Sequence, residues 1–284
     1  MITIKQSLSL LRIQHWSKSL FVLLGVLYSG SFNLLHQSLL AAFAFCLVSS
    51  AVYIYNDIQD LESDKLHSHK SKRMIASGTI SINWSCIILL FLLIFGFSVA
   101  FLVSSDLATI LASYLLINLL YNQFLKNIPI LDVLSIVSGF ILRVLAGTIG
   151  IGLAISWWLI LLTALISLSI ALSKRRLEKQ LQVQVATRSV LKKYSIVVLD
   201  KLILLSGIFC FIVYLLYIKY VHGNSIYFLI TIIFATIGLW RFAWLTKYKS
   251  DTDDPVIIFF DDKICKISAL SFFLLSLLGV LHDL

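Results

Sequence analysis

The chain has 284 residues, of which 60% are hydrophobic and 13% charged, with a mean hydropathy of +0.97. Soluble domains carry about 25% charged residues, so a water-facing globule is excluded and the composition points to an all-α, polytopic membrane protein. The net charge of +9 is explained by membrane topology and not by a nucleic-acid partner.

The opening segment, MITIKQSLSLLRIQHWSKS, has no small-residue cleavage site and reads as an amphipathic lead-in at the membrane interface. A spanning helix needs about 20 apolar residues. About nine stretches qualify: 19–36, 38–56, 85–104, 107–125, 129–150, 155–173, 202–220, 225–245 and 264–282. Ser, Gly and Asn dilute the first. With only two Pro and 12 Gly there is little room for linkers, so residues 1–284 are read as one membrane domain. Cys46, Cys86, Cys210 and Cys265 lie far apart in apolar runs and suggest neither disulfides nor a metal site.

Orientation follows from Lys and Arg. A cytoplasmic N-terminus puts 21 of the 23 on the inner side, leaving Lys219 outside and Arg143 within a span. The inner clusters include Lys5, Arg12 and Lys18, then Lys65, Lys70, Lys72 and Arg73, and a large group from Lys174 through Arg188 to Lys201. This is the positive-inside pattern; the expected location is a bacterial inner (plasma) membrane.

The second expected span ends in the cytoplasm on Asn56, Asp57, Asp60 and Asp64, an NDxxDxxxD pattern. At about 100° per residue these fall at roughly 0°, 100°, 40° and 80° around a helix, on one face, with Glu62 pointing away. Tyr53, one turn back, joins that face. Clustered carboxylates at a helix C-terminus repel one another and the helix dipole, so a cation belongs beside them. Oxygen ligands with room for water suit Mg2+, and Lys70, Lys72 and Arg73 suit phosphate. The bland alternative is a solvated acidic loop paired with its own lysines.

Further along, Tyr114, Asn118, Tyr121 and Asn122 lead to Lys126; Tyr121 and Lys126 approach the cytoplasmic mouth, while interior polar groups often only join helices. Asp132, Ser135, Gly139, Arg143, Ala146 and Gly150 form one polar, small-residue stripe. Arg143 either lines a polar cavity or locks neighbouring helices. Asp132 either pairs with Lys126 or helps order the metal site. Ser167, Ala171, Lys174 and Glu178 share a helical face. The six His show no metal-ligand spacing on one span; His67 and His69 fall in a loop.

NDIQDLESD resembles the first aspartate-rich motif of the UbiA superfamily of intramembrane prenyltransferases, whose fold is a helical bundle with cytoplasmic acidic loops. Where quinone-type members carry a second acidic motif, this chain reads Ser173-Lys174-Arg175-Arg176-Leu177-Glu178. That basic segment is similar to the decaprenyl-phosphate phosphoribosyltransferase branch. Arg12, Trp16 and Lys18 match that branch's N-terminal pattern, with Ile13 and Ser19 as departures. His67, Lys70, Arg73 and Ile75 to Gly78 match the segment after the aspartates, with Ser68 and Met74 as departures. Leu125, Lys126, Asp132, Gly139, Phe140, Leu142, Arg143, Ala146, Gly147, Ser156, Trp158, Asp254, Pro255, Asp262 and Lys263 extend the likeness.

The resemblance implies Mg2+-dependent transfer of 5-phosphoribosyl from phosphoribosyl pyrophosphate to a polyprenyl phosphate of decaprenyl type, as in making a lipid-linked cell-wall precursor. Metal and catalytic roles are then expected for Asn56, Asp57, Asp60 and Asp64. Substrate contacts are expected for Arg12, Lys18, Lys70, Arg73, Tyr121, Lys126, Arg143, Lys174, Arg175 and Glu178. Trp16 either helps at the entrance or is an interfacial anchor. A basic site at Lys174 and Arg175 would hold the donor's 5-phosphate or the acceptor's phosphate; the bland reading is positive-inside anchoring. Membrane lipids are the expected surroundings. An aromatic prenyltransferase and a non-enzymatic transporter or scaffold are the rivals.

Overall fold

The computed structural model describes residues 9–66, 70–181, 189–223, 225–248, 252 and 254–283. Lys5, His67, Ser68, His69, Arg188 and Lys249 lie outside them. Among the described residues the secondary structure is helical throughout. Seven helical segments are long and apolar enough to cross a membrane: Phe32–Gln59, Ile82–Val103, Leu131–Ile151, Trp157–Leu181, Ile196–His222, Ile226–Tyr248 and Lys263–Asp283.

Burial shows why these segments need lipid. Ile82–Val103 has a mean hydropathy of 3.1, yet only 22% of its most apolar window is buried within the protein. Its exposed residues include Ile87, Leu90, Phe91, Ile94, Phe101 and Leu102. So continuous an apolar face is stable only against hydrocarbon, and a helix satisfies its own backbone there. The protein is therefore an integral membrane protein.

Two of the expected spans take another form. The stretch 19–36 is broken into a long 3-10 helix, Ile13–Leu23, a short α-helix, Leu24–Ser29, and a 3-10 turn, Phe32–Leu34. Gly30, with φ 67, ends the short helix in the left-handed region that a Gly adopts freely. The stretch 107–125 is a regular helix, Ser105–Gln123, but Asp106, Asn118 and Asn122 keep it short of the apolarity of the other seven. Elsewhere the helices outrun the apolar runs. Leu35–Gln59 carries Asn56 and Asp57, and Trp157–Leu181 carries Lys174 to Glu178.

The described residues form two compact units. One comprises the chain up to Val26, Phe32–Lys126 and Leu142–Ile155; the other comprises Leu27–Ser31, Asn127–Ile141 and the chain from Ser156. In the first, Leu35–Gln59 packs on Ile82–Val103, and both meet Ser105–Gln123. Ser81 and Ser104 start the latter two helices, their side chains accepting from Trp84 N and Leu107 N. Ser104 also donates to the Gly150 carbonyl at 2.7 Å. A core of Val22, Val26, Phe45, Val48, Leu107 and Leu111 fills the middle. In the second unit, Trp157–Leu181 packs on Ile196–Tyr217, and Ile226–Tyr248 on Lys263–Asp283. Asp254 caps the helix Pro255–Asp261 through Val256 N at 2.9 Å. Asp262 accepts from Cys265 N at 2.9 Å and from Arg241 Nη2 at 2.8 Å; the guanidinium holds its carboxyl down at about 2.

The tightest approach in the first unit is at Gly25 and Gly147. A Cβ on Gly147 would fall 1.6 Å from the Val22 carbonyl oxygen, and one on Gly25 would fall 1.9 Å from the Gly147 oxygen. Both contacts are with backbone, so a methyl group forces the segments apart. Gly147→Ala is expected to destabilise the fold by about 1–3 kcal/mol, read as a lower thermal midpoint in detergent, whereas Gly207→Ala, where nothing beyond its own helix and chain neighbours lies within 4 Å of the added carbon, should not lower the midpoint.

Candidate functional site

The helical run that carries Asn56, Asp57, Asp60 and Asp64 breaks at Asp60. The helix Leu35–Gln59 ends there and a short helix, Leu61–Lys65, follows at once. The backbone bonds Asp60 N to Asn56 O (2.9 Å) and Asp64 N to Asp60 O (2.8 Å) carry the helical register across the break. Glu62 points away and pairs with Lys65 at 2.8 Å.

The carboxylates are met by cations from distant parts of the chain. Arg73 Nη1 donates to Asp57 Oδ1 at 3.1 Å and to Asp64 Oδ2 at 2.5 Å, so one guanidinium nitrogen bridges two acids. Arg12 Nη2 also donates to Asp57 Oδ1. Lys126 donates to Asp60 Oδ1 at 2.9 Å. Asn122 donates to the Asn56 side-chain oxygen. The side chains of Asp57 and Asp64 are only 7% and 3% exposed, against 34% for Asp60. Burying two carboxylates is stable only with such partners.

Apolar anchors bring those partners in. Leu10, Ile75 and Ile80 are buried with Leu47, Ala51, Ile54 and Leu92. They fasten the segments bearing Arg12 and Arg73 to the membrane helices. Between Lys70–Lys72 and the next helix the chain turns at Gly78, φ 72, and closes through Ile80 N to Met74 O at 3.0 Å. Arg12 itself has φ 51 and ψ 47, a left-handed conformation uncommon for a residue with a Cβ. Its guanidinium lies 5.0 Å from the Tyr53 ring centre. Burial lowers the Arg12 pKa below the usual arginine value, against the opposing pull of Asp57. Ser9, Leu10, Arg12, Gln14, His15, Asp57, Arg73 and Met74 line a cavity of about 220 Å³ beside these pairs.

The donor set of Asn56, Asp57, Asp60 and Asp64 is hard oxygen, which suits Mg2+ with waters and substrate oxygens as its remaining ligands. Among the described residues no three His, Cys, Asp or Glu converge as a ready-made cage. The point shared by Asp57 and Asp64 is taken by the Arg73 guanidinium, so a positive charge already sits where the two acids meet. The chemistry of the residues fits the ion; the carboxylates are oriented by arginine and lysine.

The remaining expected residues fall in several places. Lys18, Lys70 and Tyr121 are half-buried in the first unit. Arg143 is buried in the same unit, 4.8 Å from the Phe45 ring centre and 5.1 Å from that of Tyr114, with Nη2 3.4 Å from the Tyr114 hydroxyl. These contacts tie Arg143 to the helices that carry Phe45 and Tyr114. Trp16 donates its indole N–H to Ser50 Oγ at 3.0 Å, which fastens the 3-10 helix to Leu35–Gln59.

In the second unit Lys174 is half-buried, while Arg175 belongs to a buried network. Arg175 Nε donates to Asp132 Oδ2 at 2.6 Å and Nη1 to Glu178 Oε2 at 2.5 Å. The Tyr194 hydroxyl donates to Asp132 Oδ1 at 2.5 Å and accepts from Ile130 N at 2.8 Å. Burial and the Asp132 hydrogen bond push the Tyr194 hydroxyl up to about 12. Asp132 is held by Arg175 and Tyr194, and Lys126 is held by Asp60. Arg176 is buried against Asp200, Gln180 and the Thr246 carbonyl. Sequence reasoning missed Tyr194 and His15. Tyr194 carries no local signal, and His15 shows itself only in a three-residue period.

The sequence pattern of the UbiA prenyltransferase family matches residues 19–261. A decaprenyl-phosphate phosphoribosyltransferase of Corynebacterium glutamicum is 31% identical over 175 residues, 59% of this chain and 53% of that protein. Nodulation protein NoeC of Azorhizobium caulinodans is 30% identical over 169 residues, 58% of this chain and 54% of that protein. The chain spans about half of the length of these relatives. A UbiA homolog from Archaeoglobus fulgidus, solved bound to GPP and Mg2+, superposes with a TM-score of 0.72 at 14% identity, covering 97% of this chain and 99% of that one. That likeness establishes the fold.

Asp132 and Arg175 are 0% and 1% exposed, so loss of Arg175 leaves the Asp132 carboxylate buried with the neutral Tyr194 hydroxyl as its partner. Arg175→Met is expected to cost about 3–5 kcal/mol of stability, measured by thermal unfolding in detergent, with part of the loss restored in the Asp132→Asn/Arg175→Met double variant. Equal midpoints for the parent and Arg175→Met would remove the network from the account of this unit's stability.

Proposed function

The chain belongs to the UbiA prenyltransferase family, and from that premise we propose that it is a polyprenyl-phosphate phosphoribosyltransferase, moving 5-phosphoribosyl from phosphoribosyl pyrophosphate to a decaprenyl-type polyprenyl phosphate. The observation that carries this reading is the pairing of Asp57 and Asp64 through Arg73, with Arg12 alongside, on a polar cavity. The similarity to the corynebacterial enzyme and the basic segment from Lys174 support the sugar-phosphate donor over a prenyl diphosphate. We place the N-terminus and this cavity on the cytoplasmic side of a bacterial inner membrane, in keeping with the distribution of Lys and Arg, and take the whole chain to work as one transferase domain.

In the reaction an oxygen of the lipid phosphate forms a bond to C1 of the ribose while the bond from C1 to the diphosphate oxygen breaks. The electron pair leaves on the diphosphate. The acceptor is already an anion at neutral pH, so no strong base is required. Asp57, Asp60, Asp64 and Asn56 would hold Mg2+, which supplies positive charge to the departing diphosphate. Arg12 and Arg73 donate N–H groups to its oxygens, and their fixed geometry stabilises charge as it develops. Lys126 orients Asp60. Lys18, Lys70 and Tyr121 complete the donor's surroundings, and Lys174 is assigned to a substrate phosphate. Arg175 and Glu178, satisfied by Asp132 and by each other, serve to position that segment. Attack in line with the leaving group inverts C1.

Membranes carrying the chain, incubated separately with labelled phosphoribosyl pyrophosphate and a labelled prenyl diphosphate, are expected to pass label to polyprenyl phosphate only from the first. Transfer from the prenyl diphosphate to an aromatic acceptor instead would replace this reading. Asp57→Asn and Asp60→Asn should each lower turnover by about 100-fold or more while membrane insertion persists. Full turnover by both would reject the carboxylate role. Lys174→Ala should raise KM for one of the two substrates, and unchanged steady-state constants for both would withdraw that assignment.

A further inference from the structure

The 3-10 helix Ile13–Leu23 runs for 11 residues, whereas such helices rarely exceed three or four. Its pitch has a consequence for side chains. At three residues per turn, positions three apart lie directly above one another. Burial follows that period: Gln14, Ser17 and Leu20 are exposed, Ser19 and Val22 are buried, and Arg12, His15, Lys18 and Phe21 are intermediate. The bond from His15 N to Arg12 O, 2.8 Å, sets the first step of that period. His15 and Lys18 therefore share one face of the helix, while Arg12, the left-handed residue just before it, brings its guanidinium to the cavity that His15 also lines. In an α-helix each step of three would rotate the side chain by about 60° and the two would diverge.

His15 lines the same cavity as Arg12, Arg73 and Asp57. Its ring lies 5.1 Å from that of Tyr53, tilted by 38°, and Tyr53 also lies under the Arg12 guanidinium at 5.0 Å. One tyrosine thus supports both the arginine and the imidazole. Lys18, a turn further on, is within electrostatic reach of Tyr114 inside the same unit. The cavity therefore has an imidazole and two guanidinium groups in its lining, with Lys18 one turn beyond His15 on the helix. Oxygen-rich anions bind best where several N–H donors converge from fixed directions.

We propose that His15 is a further substrate-binding residue, donating a ring N–H to the diphosphate of the donor in the cavity it shares with Arg12 and Arg73. The assignment rests on the diphosphate reading of that cavity and adds a residue to it. The 3-10 helix begins directly after Arg12, and both residues reach the same cavity.

The test uses the full chain in detergent, with inorganic pyrophosphate and Mg2+ as the probe, titrated calorimetrically. His15→Phe keeps a ring against Tyr53 and removes the N–H; its affinity should fall about tenfold or more. His15→Gln restores a donor and should bind within about threefold of the parent. Parent-like affinity in His15→Phe overturns the proposal, as does a parent chain that does not bind pyrophosphate. If a variant fails to fold, acylation of His15 by diethyl pyrocarbonate is followed in the parent by peptide mass spectrometry. Protection by pyrophosphate is expected, and equal labelling with and without it overturns the assignment. Loss of affinity in His15→Phe together with absence of phosphoribosyl transfer by the parent would keep the residue's role and discard the phosphoribosyl donor.

Discussion

Two carboxylates, Asp57 and Asp64, are buried at the end of an apolar helix and share one guanidinium nitrogen. Much of the first unit's polar architecture follows from that arrangement. Buried carboxylates must be matched by cations, and the cations come from both sides in the sequence, Arg12 before the helix and Arg73 after it. Neither segment could hold its arginine there without the apolar anchors Leu10, Ile75 and Ile80. The result is a preformed set of charged donors and acceptors around a polar cavity. Such a set is suited to an anionic ligand because its groups are oriented before the ligand arrives.

The second unit handles charge in a different way. Asp132, Arg175, Glu178 and Tyr194 satisfy one another, and Arg176 is satisfied by Asp200, Gln180 and a backbone carbonyl. The network also fixes Ile130, whose φ of 72 is a strained value for a β-branched residue, through its N–H to Tyr194. The basic segment that reads in sequence as a uniform positive patch is thus divided by burial. Arg175 and Arg176 are buried among partners, and Lys174 keeps a partly open side chain.

Several elements show how far local pattern reaches. The ridge Asn56, Asp57, Asp60 and Asp64 was legible because a helix repeats every 3.6 residues and all four fall within about a quarter turn. The spans were legible from hydropathy, although their cytoplasmic ends were not. Trp157–Leu181 continues past its apolar run because Arg175 and Arg176 find partners that let a charged turn stay helical and buried. The stretch 19–36 was misleading: its mean apolarity resembles a span, but the close approach of Gly25 and Gly147 and the turn at Gly30 belong to a broken segment.

By itself the sequence determined that the chain lives in a membrane, that it is helical, and that an acidic ridge stands beside basic residues. Those properties depend on composition and on spacing within one element. Only the tertiary structure decided that Arg12 reaches Asp57 across 45 positions, that Lys126 reaches Asp60 across 66, and that Asp132 turns instead to Arg175 and Tyr194. It also decided that the segment from Ile13 winds at three residues per turn and that His15 lines the same cavity as Arg12. Pairings between distant segments, and the pitch of a helix that competing hydrogen-bond patterns leave open, are fixed by packing, and packing is a property of the folded chain.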